Sequence, residues 1–184
     1  MEKLKLFFRS PLFFHSMNVG LILFAARIIM YLSHHWEIVF SPGYSPLSFV
    51  LIAIAWVLGT RAEKQNHDLY TYGKTFWGLV KMTIVIVFIS SLADPILYNL
   101  IDPSLVEQTR AISMEKMEIM FTQQIKISDE MKDLQMEEIK KMDLTSLGFY
   151  IQTLAVRIIF NALVALVFAI FLRKKVNKNA WLNQ

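Results

Sequence analysis

The chain reads as an all-α integral membrane protein with four transmembrane helices. Three observations carry that reading. First, its 184 residues are 55% hydrophobic and only 18% charged, with a mean hydropathy of +0.43; soluble domains average roughly 25% charged. Second, four apolar stretches reach the roughly 17–25 residues a helix needs to cross a bilayer. Third, basic residues recur at alternate span ends, as the positive-inside rule requires. The apolar fraction excludes disorder. The absence of cysteine excludes disulfide scaffolds, thiolate metal sites and thiol enzymes.

The first span is read at 12–33, with a basic start at Lys3, Lys5 and Arg9. It has no A-x-A cleavage site, and further spans follow, so it reads as an uncleaved anchor. The second, at 44–60, is the shortest, with an apolar core from Leu47 to Leu58. The third runs over 76–101 and the fourth over 147–172, both long enough to tilt. The segment between spans one and two lacks Lys and Arg, whereas the next loop carries Arg61, Lys64 and Lys74. The tail after span four carries Arg173, Lys174, Lys175 and Lys178. Both termini are therefore expected in the cytoplasm. Trp36, Trp56, Trp77 and Tyr150 lie near the expected span ends, where an aromatic belt would sit.

Residues 102–146 form the one sizeable segment outside the spans, expected on the extracytoplasmic side. It holds six basic and ten acidic residues, a net of −4, with no glycine and one proline, Pro103. Asp102 followed by Pro103 is a good helix start. Met114, Met117, Phe121 and Ile125 follow helical spacing, and Ser128 suits the cap of a second helix. Met131, Leu134, Ile139 and Met142 share that helix's apolar face. An amphipathic helical hairpin is expected here, within a single membrane domain spanning 1–184. Six of the ten methionines lie in it. Thioethers bind Cu(I), but no Cys or His accompanies them, so adaptable packing against a partner is the better reading. Met114, Met117, Phe121, Met131, Leu134, Ile139 and Met142 form the candidate partner surface.

Arg27, Asp94 and Arg157 fall inside spans. Each costs roughly 2.5–3.5 kcal/mol if left alone near mid-span. Counted from their span ends, all three can meet at similar depth. An Asp–Arg bridge satisfies one arginine. The second can snorkel, bind Asn161 or a backbone carbonyl, or bind an anion such as a lipid phosphate. A structural bridge, an anionic lipid site and a proton or ion pathway all remain open. Asp94 precedes Pro95, which bends a helix, with Ser90 and Ser91 placed to re-satisfy the backbone. His15 reads as interfacial, His34-His35 with Glu37 as a weak metal site, and His67-Asp68 as a turn.

No Walker loop, G-x-G-x-x-G, H-E-x-x-H or G-x-S-x-G motif occurs. No enzyme, cofactor, metal or nucleic-acid partner is expected, and the basic tail reads as a topology and lipid signal. Tyr70-Thr71-Tyr72-Gly73-Lys74-Thr75-Phe76 at the start of span three, Ile101-Asp102-Pro103 and Arg173-Lys174-Lys175 form an ordered set. In these features the chain resembles the bacterial membrane family called domain of unknown function 4199, found mainly in Bacteroidetes. The resemblance implies a four-span protein of the bacterial inner (cytoplasmic) membrane. It also implies association with a glycosyltransferase system of the polyprenyl-phosphate type, and no catalytic residues. The expected function is thus a non-catalytic accessory or scaffold subunit acting through a protein partner, a second copy or membrane lipid. The alternative is a small transporter or flippase-like protein that binds an anionic lipid through Arg27 and Arg157.

Overall fold

Hydroxyl side chains open four of the helices. Ser10 accepts from the Phe13 N–H at 3.4 Å, Thr71 from Lys74 at 3.4 Å, Ser128 from Met131 at 3.4 Å and Ser146 from Phe149 at 3.2 Å. Each takes up a donor that a helix start leaves open. In the computed structural model, which describes residues 7–40, 44–65, 71–123 and 128–173, these caps begin α1 (Pro11–Leu32), α3 (Tyr72–Ser91), α6 (Asp129–Lys141) and α7 (Leu147–Leu172). Between them lie α2 (Tyr44–Gln65), the short α4 (Ala93–Ile96) and α5 (Leu105–Gln123). A 3₁₀ turn, Trp36–Phe40, follows α1, and a π-helical turn, Leu97–Ile101, follows α4. No strand occurs among the described residues.

Four helical runs are long and apolar enough to cross a membrane: Pro11–Leu32, Pro46–Gln65, Tyr72–Ile101 and Leu147–Leu172. Their outer faces carry the same message. On α7 only Asn161, Ala165 and Ala169 are buried, while Phe160, Leu163 and Phe171 stand exposed. A helix that is apolar all round and covered on one side needs lipid on the others. The helix boundaries differ from the sequence reading by more than one residue in two places. The second helix runs on from Thr60 to Gln65, because Arg61-Ala62-Glu63-Lys64 contains no breaker and favours helix. The third starts at Tyr72 rather than Phe76, where Thr71 caps it.

α3 is the central helix, packed against α1, α2 and α7. Gly20 allows a close approach of α1 to α3: a Cβ there would lie 3.0 Å from the Cβ of Ile89 and 3.4 Å from the Cα of Ile86. Small residues at such crossings let membrane helices touch backbone to backbone. Trp56, Leu79, Met82 and Ile86 fill the middle of the bundle. Trp56 is fully buried and Trp36 nearly so, against the expected place of both in an interfacial belt. The extension of α2 to Gln65 makes Trp56 a mid-helix residue, and Trp36 is covered by α5. Among the described tryptophans Trp77 alone is exposed.

α1 ends in a Schellman motif. His35 N–H bonds to Met30 O at 2.9 Å and His34 N–H to Tyr31 O at 3.0 Å, with His34 in the left-handed region at φ 58°. The His34-His35 pair thus serves the helix end, and His35 faces Glu37 at 3.5 Å.

The third span breaks as Pro95 requires. α3 stops at Ser91, Leu92 turns, and α4 resumes before the π turn. The segment between the last two spans is a helical hairpin, α5 and α6. Asp102 Oδ1 accepts from Ser104 N at 3.0 Å, and the first turn closes through Leu105 N to Asp102 O at 3.2 Å, so the regular helix begins at Leu105. Ile125 lies outside the described residues, as do Lys3, Lys5, His67-Asp68, Tyr70, Lys174, Lys175 and Lys178.

Candidate functional site

The break after Ser91 places α4 and the π turn at the end of the bundle beneath the hairpin. Asp94 of α4 and Tyr98 of the π turn lie about one turn apart, and Ser91 precedes Asp94 by three residues, so all three share a face. On α7, Tyr150, Thr153, Arg157 and Asn161 recur at spacings of three and four and form a facing polar stripe.

The structure brings Arg27, Asp94 and Arg157 together. The Arg27 guanidinium donates through Nη1 to Asp94 Oδ1. Arg157 Nη1 lies 3.9 Å from Asp94 Oδ2 and donates to Ser91 Oγ at 3.1 Å. The Arg27 side chain is 7% exposed and that of Arg157 37%. Two guanidiniums and one carboxylate leave the trio with a formal charge of +1. Ser91, expected to serve the broken backbone, instead spends its hydroxyl across helices, while Ser90 Oγ donates to Val87 O at 3.2 Å. Asn161 meets Arg157 differently from the expected side-chain contact: its Nδ2 donates to the Arg157 backbone carbonyl at 2.8 Å.

The trio forms part of the wall of a cavity of about 700 Å³. Phe88, Leu92 and Leu154 give it apolar sides, and the hairpin roofs it with Met117, Met120, Ile139 and Met142. Arg110 and Lys116 of α5 also line it. A chamber of this size with apolar walls and a few convergent polar groups is the usual form of a small-molecule site. Two anchors hold the roof. Thr109 accepts from Trp36 Nε1 at 3.3 Å and shares a hydrogen bond with the Tyr98 hydroxyl at 3.1 Å, all three side chains being buried. Arg110 donates to Met142 O at 3.1 Å and pairs with Glu107 at 2.5 Å, tying α5 to the end of α6.

The candidate partner surface divides. Phe121 is buried, Met114 and Met117 are half-buried, and Met117, Ile139 and Met142 face the cavity. Met131 and Leu134 stand exposed on the outside of α6. The sequence reading missed Ser91, Tyr98, Thr109 and Arg110 as parts of the site. The spacing of Ser91, Asp94 and Tyr98 was the available signal for two of them. Thr109 and Arg110 had none, because they act only once the hairpin folds over the bundle.

Outside the spans, Asp143 Oδ1 accepts from Thr145 Oγ1 at 2.6 Å and Thr145 N at 3.0 Å. These bonds, first the hydroxyl and then the amide, hold its carboxyl below the usual carboxylate range.

No curated protein and no solved structure matches the chain. A family model described as protein of unknown function DUF4199 matches residues 17–174. That match covers the four apolar helices, the hairpin and the charged trio almost from end to end, and the chain belongs to the DUF4199 family.

Proposed function

We propose that this protein binds an anionic membrane amphiphile, without transforming it, in the chamber beneath the hairpin. One observation carries the reading: three arginines, a lysine and a single carboxylate, with the Arg27–Asp94–Arg157 trio among them, lie in the wall of a largely apolar chamber. Arg27 is committed to Asp94 by a direct bond and by burial. Arg157 is the more exposed partner, held at 3.9 Å from Asp94 and bonded to Ser91, and a guanidinium is the side chain best shaped for a phosphate or carboxylate. The methionine roof suits an apolar chain of no fixed shape, because thioether side chains repack easily. On this reading the hairpin and its end of the bundle face away from the cytoplasm. The termini lie in the cytoplasm, and the membrane is the bacterial inner one. An accessory role beside a lipid-linked enzyme follows naturally from holding such an amphiphile, and exposed Met131 and Leu134 on α6 support contact with a protein partner.

Purification in a mild detergent followed by lipid extraction tests the proposal. Wild-type protein is expected to retain anionic lipid in excess over its share of the membrane. Arg157→Gln is expected to lower that retention roughly tenfold or more, the worth of a charge-assisted hydrogen bond. Retention equal to the membrane composition in both proteins contradicts it.

A further inference from the structure

A second cavity, of about 410 Å³, lies on the α2 side of the same arginines. Phe49 and Ile52 of α2, Ser90 of α3, and Phe160 and Asn161 of α7 line it, and it shares Arg27, Val39 and Arg157 with the first. Asn161 is 8% exposed. Its Nδ2 is used on the Arg157 carbonyl, and its Oδ1 is buried with no donor among the described residues. A buried acceptor without a donor costs free energy that a ligand can recover by supplying one. Arg157 and Asn161 are four residues apart on one helix, so they share a face about 6 Å apart along the axis. A phosphate held by Arg157 therefore has its alcohol substituent within reach of Asn161.

We infer that Asn161 reads a hydroxyl on the head of the bound amphiphile, so that the protein prefers an anionic lipid whose head group carries a hydrogen-bond donor. The inference rests on the amphiphile reading above and adds its selectivity. The anion sits on Arg157, and the hydroxylated part of the head turns into the second cavity, where Ser90 also stands. Arginine supplies only donors. Asn161 Oδ1 adds the acceptor that a hydroxyl needs and that a bare phosphate ester does not.

Phosphatidylglycerol and phosphatidylmethanol test this, because they carry the same phosphate charge and differ in the hydroxyls of the head. Delipidated protein in neutral detergent is titrated with each, and with phosphatidylcholine, and binding is read by native mass spectrometry. Phosphatidylglycerol is expected to bind roughly threefold to tenfold more tightly than phosphatidylmethanol, the worth of one net hydrogen bond. In Asn161→Leu the ratio between the two anionic lipids is expected to fall to about one, whatever the absolute affinity, and a preference that persists in a variant still binding either lipid overturns the inference. Equal binding of the two anionic lipids by the wild type overturns the inference and leaves the anion site standing, even where the variant does not fold. Failure of both to outbind phosphatidylcholine overturns the amphiphile reading itself. Excess glycerol 3-phosphate is the control for a water-borne ligand, and loss of the lipid preference in its presence overturns the assignment to a lipid.

Discussion

At the scale of single residues, the charged trio and the His34 cap make opposite kinds of demand on the chain. Asp94 is held between two arginines, so removing it leaves guanidiniums in an apolar bundle without their carboxylate. Breaking a buried pair in this way costs about 3–5 kcal/mol. Asp94→Ala is therefore expected to lower the folded yield and the unfolding temperature, and adding Arg27→Ala is expected to restore part of the loss. A double variant no better than the single one would show that the Arg27–Asp94 bond contributes nothing. His34 sits at φ 58°, where a Cβ is crowded. His34→Gly is expected to stabilise the protein by about 0.5–1 kcal/mol, seen as a higher unfolding temperature in detergent. Asp143 supplies the pH dependence. Its carboxyl is held low by Thr145, so its contribution is fully present above the unfolded value of about 3.9 and is lost as pH falls through the lower folded value. The Thr145 amide is expected to lose hydrogen-exchange protection over that acid range in the wild type, relative to the intrinsic rate. In Asp143→Asn, whose amide oxygen still accepts but does not titrate, the protection should be independent of pH.

At the scale of elements, the contact of α1 with α3 depends on a missing side chain. A Cβ on Gly20 meets the branched Cβ of Ile89 at 3.0 Å and backbone behind it, so the helices must separate. A Cβ on Gly59 meets the flexible end of Met82, Cε at 2.7 Å, which can move aside. Gly20→Ala is thus expected to cost about 1–3 kcal/mol and Gly59→Ala well under that, as compared by thermal unfolding in one detergent. Equal effects would mean that neither approach limits packing. The elements themselves were largely legible in the sequence, since length and apolar runs dictate spans and hydroxyl residues mark their starts. Residue types also marked the charges within the spans. The two misplaced tryptophans show where the reading stopped. A belt residue and a core residue have the same composition signature, and only the true end of α2, five residues past Thr60, separates them. His34 likewise read as a metal candidate because nothing in the sequence announces a left-handed cap on histidine.

At the scale of the whole molecule, the chamber exists because the third span does not run straight. The sequence showed Asp94-Pro95 and expected a bend. It could not show that the bend swings Tyr98 under Thr109, or that Arg110 closes the hairpin on Met142, because these contacts link residues far apart in the chain. Pro95 cannot donate to the carbonyl of Ser91, and the helix restarts as α4 and a π turn instead. Pro95→Ala restores a donor and favours continuous helix through Ile101. The local backbone gains, so the unfolding temperature is expected to hold or rise. Asp94 and Tyr98 then rotate relative to Ser91, which moves the carboxylate against Arg157 and lifts the Tyr98–Thr109 anchor that carries the roof. Retention of anionic lipid is therefore expected to fall severalfold in a protein at least as stable as the wild type. Such an opposition between stability and binding is typical where a site is built on a local departure from regular structure. Unchanged retention in a fully folded Pro95→Ala protein would mean that the break does not shape the site, and that the trio can assemble on a straight helix.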